Sequence, residues 1–296
     1  MATEAIDPRY EDIDQWPTDR AVEAMVEGQL AAVESIRALT RPIAEAAEAA
    51  SRRLGRTGRL VYVGAGTSGR IAVQDGVELY PTFNWPQARL LFLMAGGLAA
   101  LTEAAEGAED NAEAGAQAIS AAQVGAQDVV FGLAASGRTP FTVSALRTAR
   151  AAGALTIGIA NNPATPLLEA AEHPLFADTG PEIVAGSTRM KAGTSQKAIL
   201  NLLSTAIMLR QGLVYRGLMV NMRVSNDKLL ARGRHMVRDI AGVDLETAHA
   251  ALDLAGRDIK AAVLIALGAS TAQAAAMLEA NNLNLRDALQ AWRGDA

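Results

Sequence analysis

Residues 60–70 read LVYVGAGTSGR and join a short apolar run to a glycine-rich loop. The run Leu60–Val63 predicts a strand that is buried on both faces, because no polar residue interrupts it. Three glycines, Thr67, Ser68 and Arg70 follow. A helix that begins in such a loop directs unpaired N–H groups and a partial positive charge at a ligand. The stretch therefore indicates a phosphate-binding loop, and the phosphate belongs either to a dinucleotide or to a smaller compound.

The same strand pattern recurs along the chain. Short apolar runs predict strands at 59–63, 90–94, 128–133, 154–159 and 174–177. Between them the residue spacing predicts helices at 67–79, 99–122 and 139–152. Uninterrupted apolar strands alternating with helices are typical of a parallel sheet that is covered on both faces. We therefore predict an α/β fold with a doubly wound, parallel, five-stranded sheet flanked by helices, whose ligand lies beyond the carboxyl ends of the strands.

The two ends of the chain depart from this pattern. Residues 1–17 show no periodicity, and a helical apolar stripe begins after Thr18. From residue 236 onward the spacing predicts only short helices, at 245–254, 257–266, 271–280 and 285–293. We therefore predict two domains, a phosphate-binding domain over 1–235 and a small all-helical unit over 236–296.

A dinucleotide is the weaker interpretation of the glycine-rich loop. Gly64, Gly66 and Gly69 have the G-x-G-x-x-G spacing, but that spacing is weak evidence without an acidic residue at the end of the second strand. The second predicted strand, LLFLM, ends instead in Ala-Gly-Gly at 95–97. A smaller phosphorylated compound therefore fits the loop better.

Two further loops have a similar composition. ASGRTP (135–140) follows the third predicted strand, and GSTRMKAGTSQK (186–197) precedes a long apolar helix. Each places hydroxyl groups, small residues and a cation at the start of a helix, where a phosphate is favoured. The alternative is that these loops are ordinary turns with helix caps. The candidate phosphate and sugar ligands are Thr67, Ser68, Ser136, Gly137, Arg138, Thr139, Ser187 and Lys191.

Composition narrows the possible functions. The 296 residues carry a formal net charge of −5, which argues against a nucleic-acid partner. No cysteine occurs, which excludes disulfides and thiolate chemistry, and the three histidines have no metal-ligand spacing. The acidic start does not resemble a secretory signal, and no apolar stretch reaches the length of a membrane span. We therefore expect a cytoplasmic protein with no membrane partner and no metal site.

Taken together, the three loops resemble those of the sugar isomerase (SIS) fold. More narrowly, the chain is similar to the N-acetylmuramic acid 6-phosphate etherase family, from IDQWPT at 13–18 through NDKL at 226–229. EGAEDN (106–111) and the loop at 186–197 are the most specific parts of this resemblance, because isomerases of the same fold do not usually carry them. The C-terminal helices resemble the ubiquitin-associated-type appendage of the family.

The resemblance implies a lyase reaction on a phosphosugar. The family cleaves the ether between D-lactate and carbon 3 of N-acetylmuramic acid 6-phosphate, by elimination followed by addition of water, and gives N-acetylglucosamine 6-phosphate. This chemistry needs acids, bases and a phosphate anchor but no metal or redox cofactor. By resemblance, Glu78 is the proton donor to the departing lactate, and Glu109 deprotonates carbon 2 or activates water. Glu106 is a near neighbour that could be confused with Glu109, and the family implies a homodimer.

One segment departs from the family pattern. Residues 75–82 read DGVELYPT, where the family more often has Asp-Ala-Ser-Glu-Cys-Pro-Pro-Thr. The acid is retained but its neighbours are larger, so the sequence leaves the shape of the pocket near the lactyl group undetermined. Arg70, Arg138, Arg189 and Lys191 are cations available to the phosphate or to the lactyl carboxylate.

Two alternatives within the same fold stay open. An aldose–ketose isomerase needs a base for proton transfer between carbons 1 and 2 but has no use for EGAEDN. A non-catalytic phosphosugar sensor, like the glucokinase regulatory proteins, typically carries two SIS domains in tandem, for which this chain is too short.

Overall fold

The protein is built on one parallel sheet. The computed structural model describes residues 1–103, 105 and 107–294, and within them five strands pair in the order β2-β1-β3-β4-β5. All four pairings are parallel, which confirms the predicted sheet. The strands are β1 (Leu60–Gly64), β2 (Leu90–Met94), β3 (Val129–Leu133), β4 (Leu155–Ala160) and β5 (His173–Phe176).

The strand order places a switch point between β1 and β3. The chain passes from β1 to β2 at one edge and then returns across β1 to begin β3, so these two strands are neighbours without being consecutive. Gly64 at the end of β1 lies opposite Leu133 at the end of β3. Ligands of open α/β sheets bind at such a point, because the loops diverge there and leave a crevice.

Helices flank the sheet, as predicted. Those of the first part of the chain are α1 (Thr18–Glu34), α2 (Thr40–Leu54), α3 (Gly66–Phe83), α4 (Ala112–Ala121), α5 (Pro140–Ala151), α6 (Pro166–Ala170) and α7 (Lys191–Arg210). Every residue of β1, β3 and β4 is buried, which explains why their sequences are almost entirely apolar.

The helix predicted over 99–122 is wrong in its first half. The structure has short 3-10 turns at Leu98–Leu101 and Ala108–Asp110, and α4 begins only at Ala112. Gly107 has a φ of 71°, which a continuing helix cannot accommodate. Asn111 then caps α4 by accepting the backbone N–H of Ala114 at 2.9 Å.

The described residues divide into two compact units. The first comprises residues 1–77 and 87–206, and the second comprises 78–86 and 207–296. The predicted domain boundary at 235/236 falls within α8 (Asp227–Ala241) and stays a prediction. None of the described helices is both long enough and apolar enough to span a membrane.

The second unit has its own helical core. Its further helices are α9 (Leu245–Leu254), α10 (Ile259–Ala266), α11 (Thr271–Ala280) and α12 (Leu285–Gly294), close to the predicted ranges. Side chains cap four of its helices, because each accepts an N–H of the first turn: Asn226, Asp244, Asp258 and Ser270. Apolar residues from all five helices of the unit pack into one buried cluster.

Candidate active site

Glycines hold the loops at the switch point close to the sheet. A Cβ on Gly64 would lie 2.8 Å from the backbone nitrogen of Gly69, so α3 begins tightly against β1. Gly137 has a φ of 65°, and a Cβ there would clash with the side chain of Thr165. Both loops therefore need glycine, the first for close backbone packing and the second for its left-handed conformation and the nearby Thr165 side chain, and both present a helix start beside the crevice.

The first loop is connected to α7 through a buried hydrogen bond. Ser68 is buried, and its hydroxyl donates to Oε1 of Gln196 at 2.9 Å. Thr67, one position earlier, is half-buried at the start of α3. Because the Ser68 hydroxyl donates to an interior partner, Thr67 is the better candidate of the two for a hydroxyl that donates to a phosphate.

Gln196 continues this connection to the end of β4. Its Nε2 donates to Oδ1 of Asn161 at 3.1 Å, and Nδ2 of Asn161 donates to Oγ of Ser195 at 2.8 Å and to the carbonyl of Ala177 at 3.1 Å. The two amides thus link the ends of β1, β4 and β5 to α7. Sequence reasoning missed both residues, because a glutamine in a helix and an asparagine in a loop give no signal on their own.

The second loop leaves its hydroxyl proton available. Oγ of Ser136 accepts the backbone N–H of Arg138 at 3.1 Å, and this accepting role does not use the serine proton. Ser136 and Thr139 are half-buried, and Arg138 is exposed. Pro140 begins α5 directly after them, so the start of that helix lies beside the two hydroxyls.

The start of α7, in the third loop, does not match the phosphate site that the sequence predicts. The first N–H groups of α7, those of Lys191 and Ala192, donate to the carboxylate of Glu182 at 2.9 Å each. Glu182 is fully buried. The helix start therefore already has an internal carboxylate, and it does not offer the open anion site that the sequence suggested.

Lys191 and Ser187 occupy different environments in this third loop. The Nζ of Lys191 donates to the carbonyl of Pro181 at 2.8 Å, and the side chain is largely buried. Burial lowers the pKa of Lys191, although the nearby carboxylates of Glu182 and Asp7 favour its charged form. Ser187 is half-buried and Arg189 is exposed.

A cavity of about 240 Å³ opens at the carboxyl ends of β1 and β2. It holds Glu109, which the 3-10 turn Ala108–Asp110 presents at the surface. The structure therefore brings this predicted carboxylate to the first loop. Glu106 lies outside the described residues. The lining residues are Ala65, Gly66, Arg70, Ala95, Ala100, Glu103, Ala105, Gly107 and Glu109.

Arg70 holds the backbone of one wall of this cavity. Its Nε donates to the carbonyls of Leu101 at 3.0 Å and Ala100 at 3.2 Å, and its Nη2 donates to that of Ala100 at 3.0 Å. The sequence offered Arg70 as a cation for an anionic ligand. In the structure its guanidinium instead fixes the turn Leu98–Leu101, which leads into the segment that carries Glu109.

Glu78 lies on α3 and belongs to the second compact unit. It is exposed, while the next residue, Leu79, is only 3% exposed. The ring of Tyr80 lies 5.0 Å from the guanidinium carbon of Arg223. Of the enlarged residues, Leu79 is therefore buried, and Tyr80 packs against Arg223. Val77 stands where the family more often has serine, and it is 47% exposed, so it lies at the surface beside Glu78.

A buried carboxylate, Asp75, fixes the middle of α3. It accepts hydrogen bonds from Asn201 at 2.6 Å, from the Tyr62 hydroxyl at 2.9 Å and from Ser204 at 3.1 Å. Burial raises the pKa of Asp75, and these three donors offset only part of that effect. The network ties α3 to β1 and α7, and sequence reasoning had noted Asp75 only as part of a motif.

This arrangement defines a class of protein. The sheet order and the loops at its switch point are those of an SIS domain, and the SIS domain family matches residues 99–206. The glucokinase regulatory protein N-terminal SIS domain family matches residues 42–150. A solved structure of a candidate phosphosugar isomerase from Bacteroides fragilis aligns with a TM-score of 0.50 at 20% identity, covering 68% of this chain and 95% of its own, which is a likeness of fold.

Curated relatives define the family within that class. The N-acetylmuramic acid 6-phosphate etherase of Deinococcus radiodurans is 47% identical over 97% of this chain and 94% of its own. That of Cronobacter sakazakii is 43% identical over 98% of both chains. The chain belongs to the N-acetylmuramic acid 6-phosphate etherase family, which confirms the resemblance drawn from its motifs.

Proposed function

We propose that this protein is a carbon–oxygen lyase that cleaves the D-lactyl ether of N-acetylmuramic acid 6-phosphate. The products are N-acetylglucosamine 6-phosphate and D-lactate, as expected for an enzyme of cell-wall sugar recycling. The observation that carries this proposal is the 47% identity to a named etherase over 97% of the chain. The cavity beside the first loop, which holds Glu109, supports it.

The sugar phosphate lies at the switch point in this proposal. Thr67 and the residues 136–139 bind it, because both loops combine hydroxyl groups with a helix start. The Ser68 hydroxyl donates its hydrogen bond to Gln196 rather than to the phosphate, and it contributes by holding the first loop in place. Ser187 and the buried Lys191 support the sugar side of the site from the third loop.

The carboxylates perform the proton transfers. In the open-chain sugar the proton on carbon 2 is acidified by the adjacent aldehyde. Glu109 takes this proton, the bond between carbon 3 and the ether oxygen breaks, and Glu78 protonates that oxygen so that lactate leaves. Water then adds across the unsaturated aldehyde, with its oxygen on carbon 3 and a proton on carbon 2. Glu109 also activates this water in the proposed reaction, and no step requires a metal or redox cofactor.

We also infer that the protein acts as a homodimer. The face of α1 formed by Val22, Val26, Leu30 and Val33 is apolar, and these side chains are 49–67% exposed in the single chain. The opposite face, with Ala24, Gly28 and Ala32, is buried. A contiguous exposed apolar face is typical of an association surface, and two-fold dimers are the commonest solution. We place the enzyme in the cytoplasm, where phosphorylated sugars are retained.

A lactate-release assay tests the reaction. Purified protein incubated with N-acetylmuramic acid 6-phosphate should release D-lactate and N-acetylglucosamine 6-phosphate in equal amounts. A parallel incubation with fructose 6-phosphate should give no product. Conversion of fructose 6-phosphate without lactate release would instead favour the isomerase.

A further inference from the structure

Thr3 is fully buried although it stands at the start of the chain. It lies in the 3-10 turn Ala2–Glu4, within a segment that gave no signal in the sequence. A fully buried threonine hydroxyl needs a hydrogen-bond partner. Thr3 must therefore have specific hydrogen-bond partners in the interior.

The side chain of Thr3 is bound to the second loop through Asn162. Nδ2 of Asn162 donates to Oγ1 of Thr3 at 3.0 Å and to the carbonyl of Ala135 at 2.9 Å. Asn162 is only 3% exposed. Its Oδ1 is buried without a hydrogen-bond partner among the described residues. The orientation of this amide thus depends on the two bonds made by Nδ2, one of which leads to the residue before Ser136.

The backbone of Thr3 is bound to the third loop. Its carbonyl accepts the N–H of Gly186 at 3.2 Å. Gly186 has a φ of 77°, and a Cβ there would lie 2.8 Å from a carboxylate oxygen of Glu4. The N-terminal turn therefore packs closely on the first residue of the loop 186–197, and Thr3 connects the two loops.

We propose that Thr3 is a positioning residue for the phosphosugar. It holds the loops 135–140 and 186–197 at a fixed separation, so that their hydroxyls meet the ligand without a further ordering cost. This inference rests on the proposed function, which places the phosphate at 135–140. Loss of the Thr3 hydroxyl should weaken substrate binding while the proton-transfer groups stay in place.

The test replaces Thr3 by valine, which keeps the shape and removes the hydroxyl. For Thr3→Val we expect the KM for N-acetylmuramic acid 6-phosphate to rise about three- to tenfold, the loss from one buried hydrogen bond, with kcat within about twofold. Thr3→Ser retains the hydroxyl and should restore most of the affinity.

The matched control is Thr156→Val. Thr156 is also fully buried, and its Oγ1 accepts one hydrogen bond, from the N–H of Glu172 at 3.0 Å, away from the loops. It should lower the melting temperature to a similar extent and leave the KM unchanged. Equal KM effects of Thr3→Val and Thr156→Val, or none from either, would overturn the role of Thr3. Ser136→Ala separates the two proposals: if it raises the KM and Thr3→Val does not, the phosphate site stands and only this inference fails, whereas no effect of Ser136→Ala contradicts the phosphate placement itself.

Discussion

The hydroxyl of Ser68 donates to Oε1 of Gln196 over 2.9 Å, across 128 positions of sequence. This bond fixes the first glycine-rich loop to α7 and turns a serine that looked like a phosphate donor toward the interior. Gln196 is in turn bonded to Asn161 at the end of β4. The buried side-chain amides of Gln196 and Asn161 therefore hold the loops of the site in place before any ligand binds.

Replacing Gln196 by leucine should destabilise the protein strongly. The variant leaves the buried polar groups of Ser68 and Asn161 without their partner, at about 1–3 kcal/mol for each group. We expect the free energy of unfolding, measured by urea denaturation, to fall by about 2–4 kcal/mol. The control Gln117→Leu removes an exposed bond to Glu113 and should change it by no more than about 0.5 kcal/mol. Similar losses in the two variants would contradict a supporting role for Gln196.

Replacing either proposed catalytic carboxylate should stop the chemistry without preventing binding. Glu78→Gln and Glu109→Gln each remove a proton-transfer group and nearly preserve side-chain shape. We expect lactate release to fall at least about 100-fold in each variant, while affinity for N-acetylglucosamine 6-phosphate, measured calorimetrically, stays within about threefold.

Glu113→Gln is the control for this pair, because Glu113 lies exposed on α4, close in sequence to Glu109. It should retain the activity of the unaltered enzyme. Full turnover by Glu78→Gln would remove that residue from the mechanism.

Arg70→Gln should lower kcat more than it raises KM. Losing the bonds to the carbonyls of Ala100 and Leu101 frees the turn that leads to Glu109, and small displacements of a catalytic group are costly. We expect a decrease in kcat of about tenfold or more, with partial recovery in Arg70→Lys.

Arg150→Gln provides the comparison for Arg70. The Arg150 guanidinium also donates to backbone carbonyls, those of Glu169, Ala170 and Ala171, but away from the cavity. Steady-state kinetics should show little change in kcat for it. A rise in KM alone for Arg70→Gln would indicate direct ligand binding rather than loop positioning.

A charge on the exposed face of α1 should dissociate the proposed dimer. Leu30 is 67% exposed in the single chain, so Leu30→Glu does not disturb the core. Burying that carboxylate in an apolar contact would be strongly unfavourable. Light scattering after size exclusion should show a dimer for the unaltered protein and a monomer for the variant. Leu254→Glu changes an equally exposed leucine on α9 and should leave the dimer intact; a monomeric unaltered protein would refute the assembly.

Asp75 should make the protein less stable as the pH rises. Burial raises the pKa of Asp75 above its ordinary value of 3.8, so the folded state favours the protonated carboxyl. This contribution is fully present below the unfolded pKa and is lost as the pH rises through the folded one. Urea denaturation from pH 4 to 8 should therefore show a fall in stability that Asp75→Asn removes.

The contribution of Asp128 to stability should change with pH in the opposite direction in the same experiment. Burial raises its pKa, but hydrogen bonds from Arg59 and from the N–H of Gly125 outweigh burial, and the pKa of Asp128 is lowered overall. Its contribution is present above the unfolded pKa and is lost as the pH falls through the folded one. Asp128→Asn should thus flatten the acid side of the profile. Identical pH profiles for both variants would contradict these opposite environments.

Much of the fold could be predicted from local sequence patterns. The five apolar runs became the five strands of the described sheet, and the central strands β1, β3 and β4 are almost entirely apolar because both of their faces are buried. The first half of the helix predicted over 99–122 was wrong, because Gly107 adopts a left-handed conformation that apolar spacing does not reveal. The interior position of Thr3 was equally unpredictable, since its partner lies 159 residues further along the chain.

The sequence by itself determined the family, the parallel sheet and the loops that follow β1 and β3. These features depend on periodicity, glycine positions and short motifs, all of which are local. Only the tertiary structure decided what each polar side chain does: Ser68 bonds to Gln196, Arg70 bonds to carbonyls, and Glu182 closes the start of α7. The physical reason is that a buried polar group must find a partner, and that partner is chosen by the packing of distant segments rather than by neighbours in the chain.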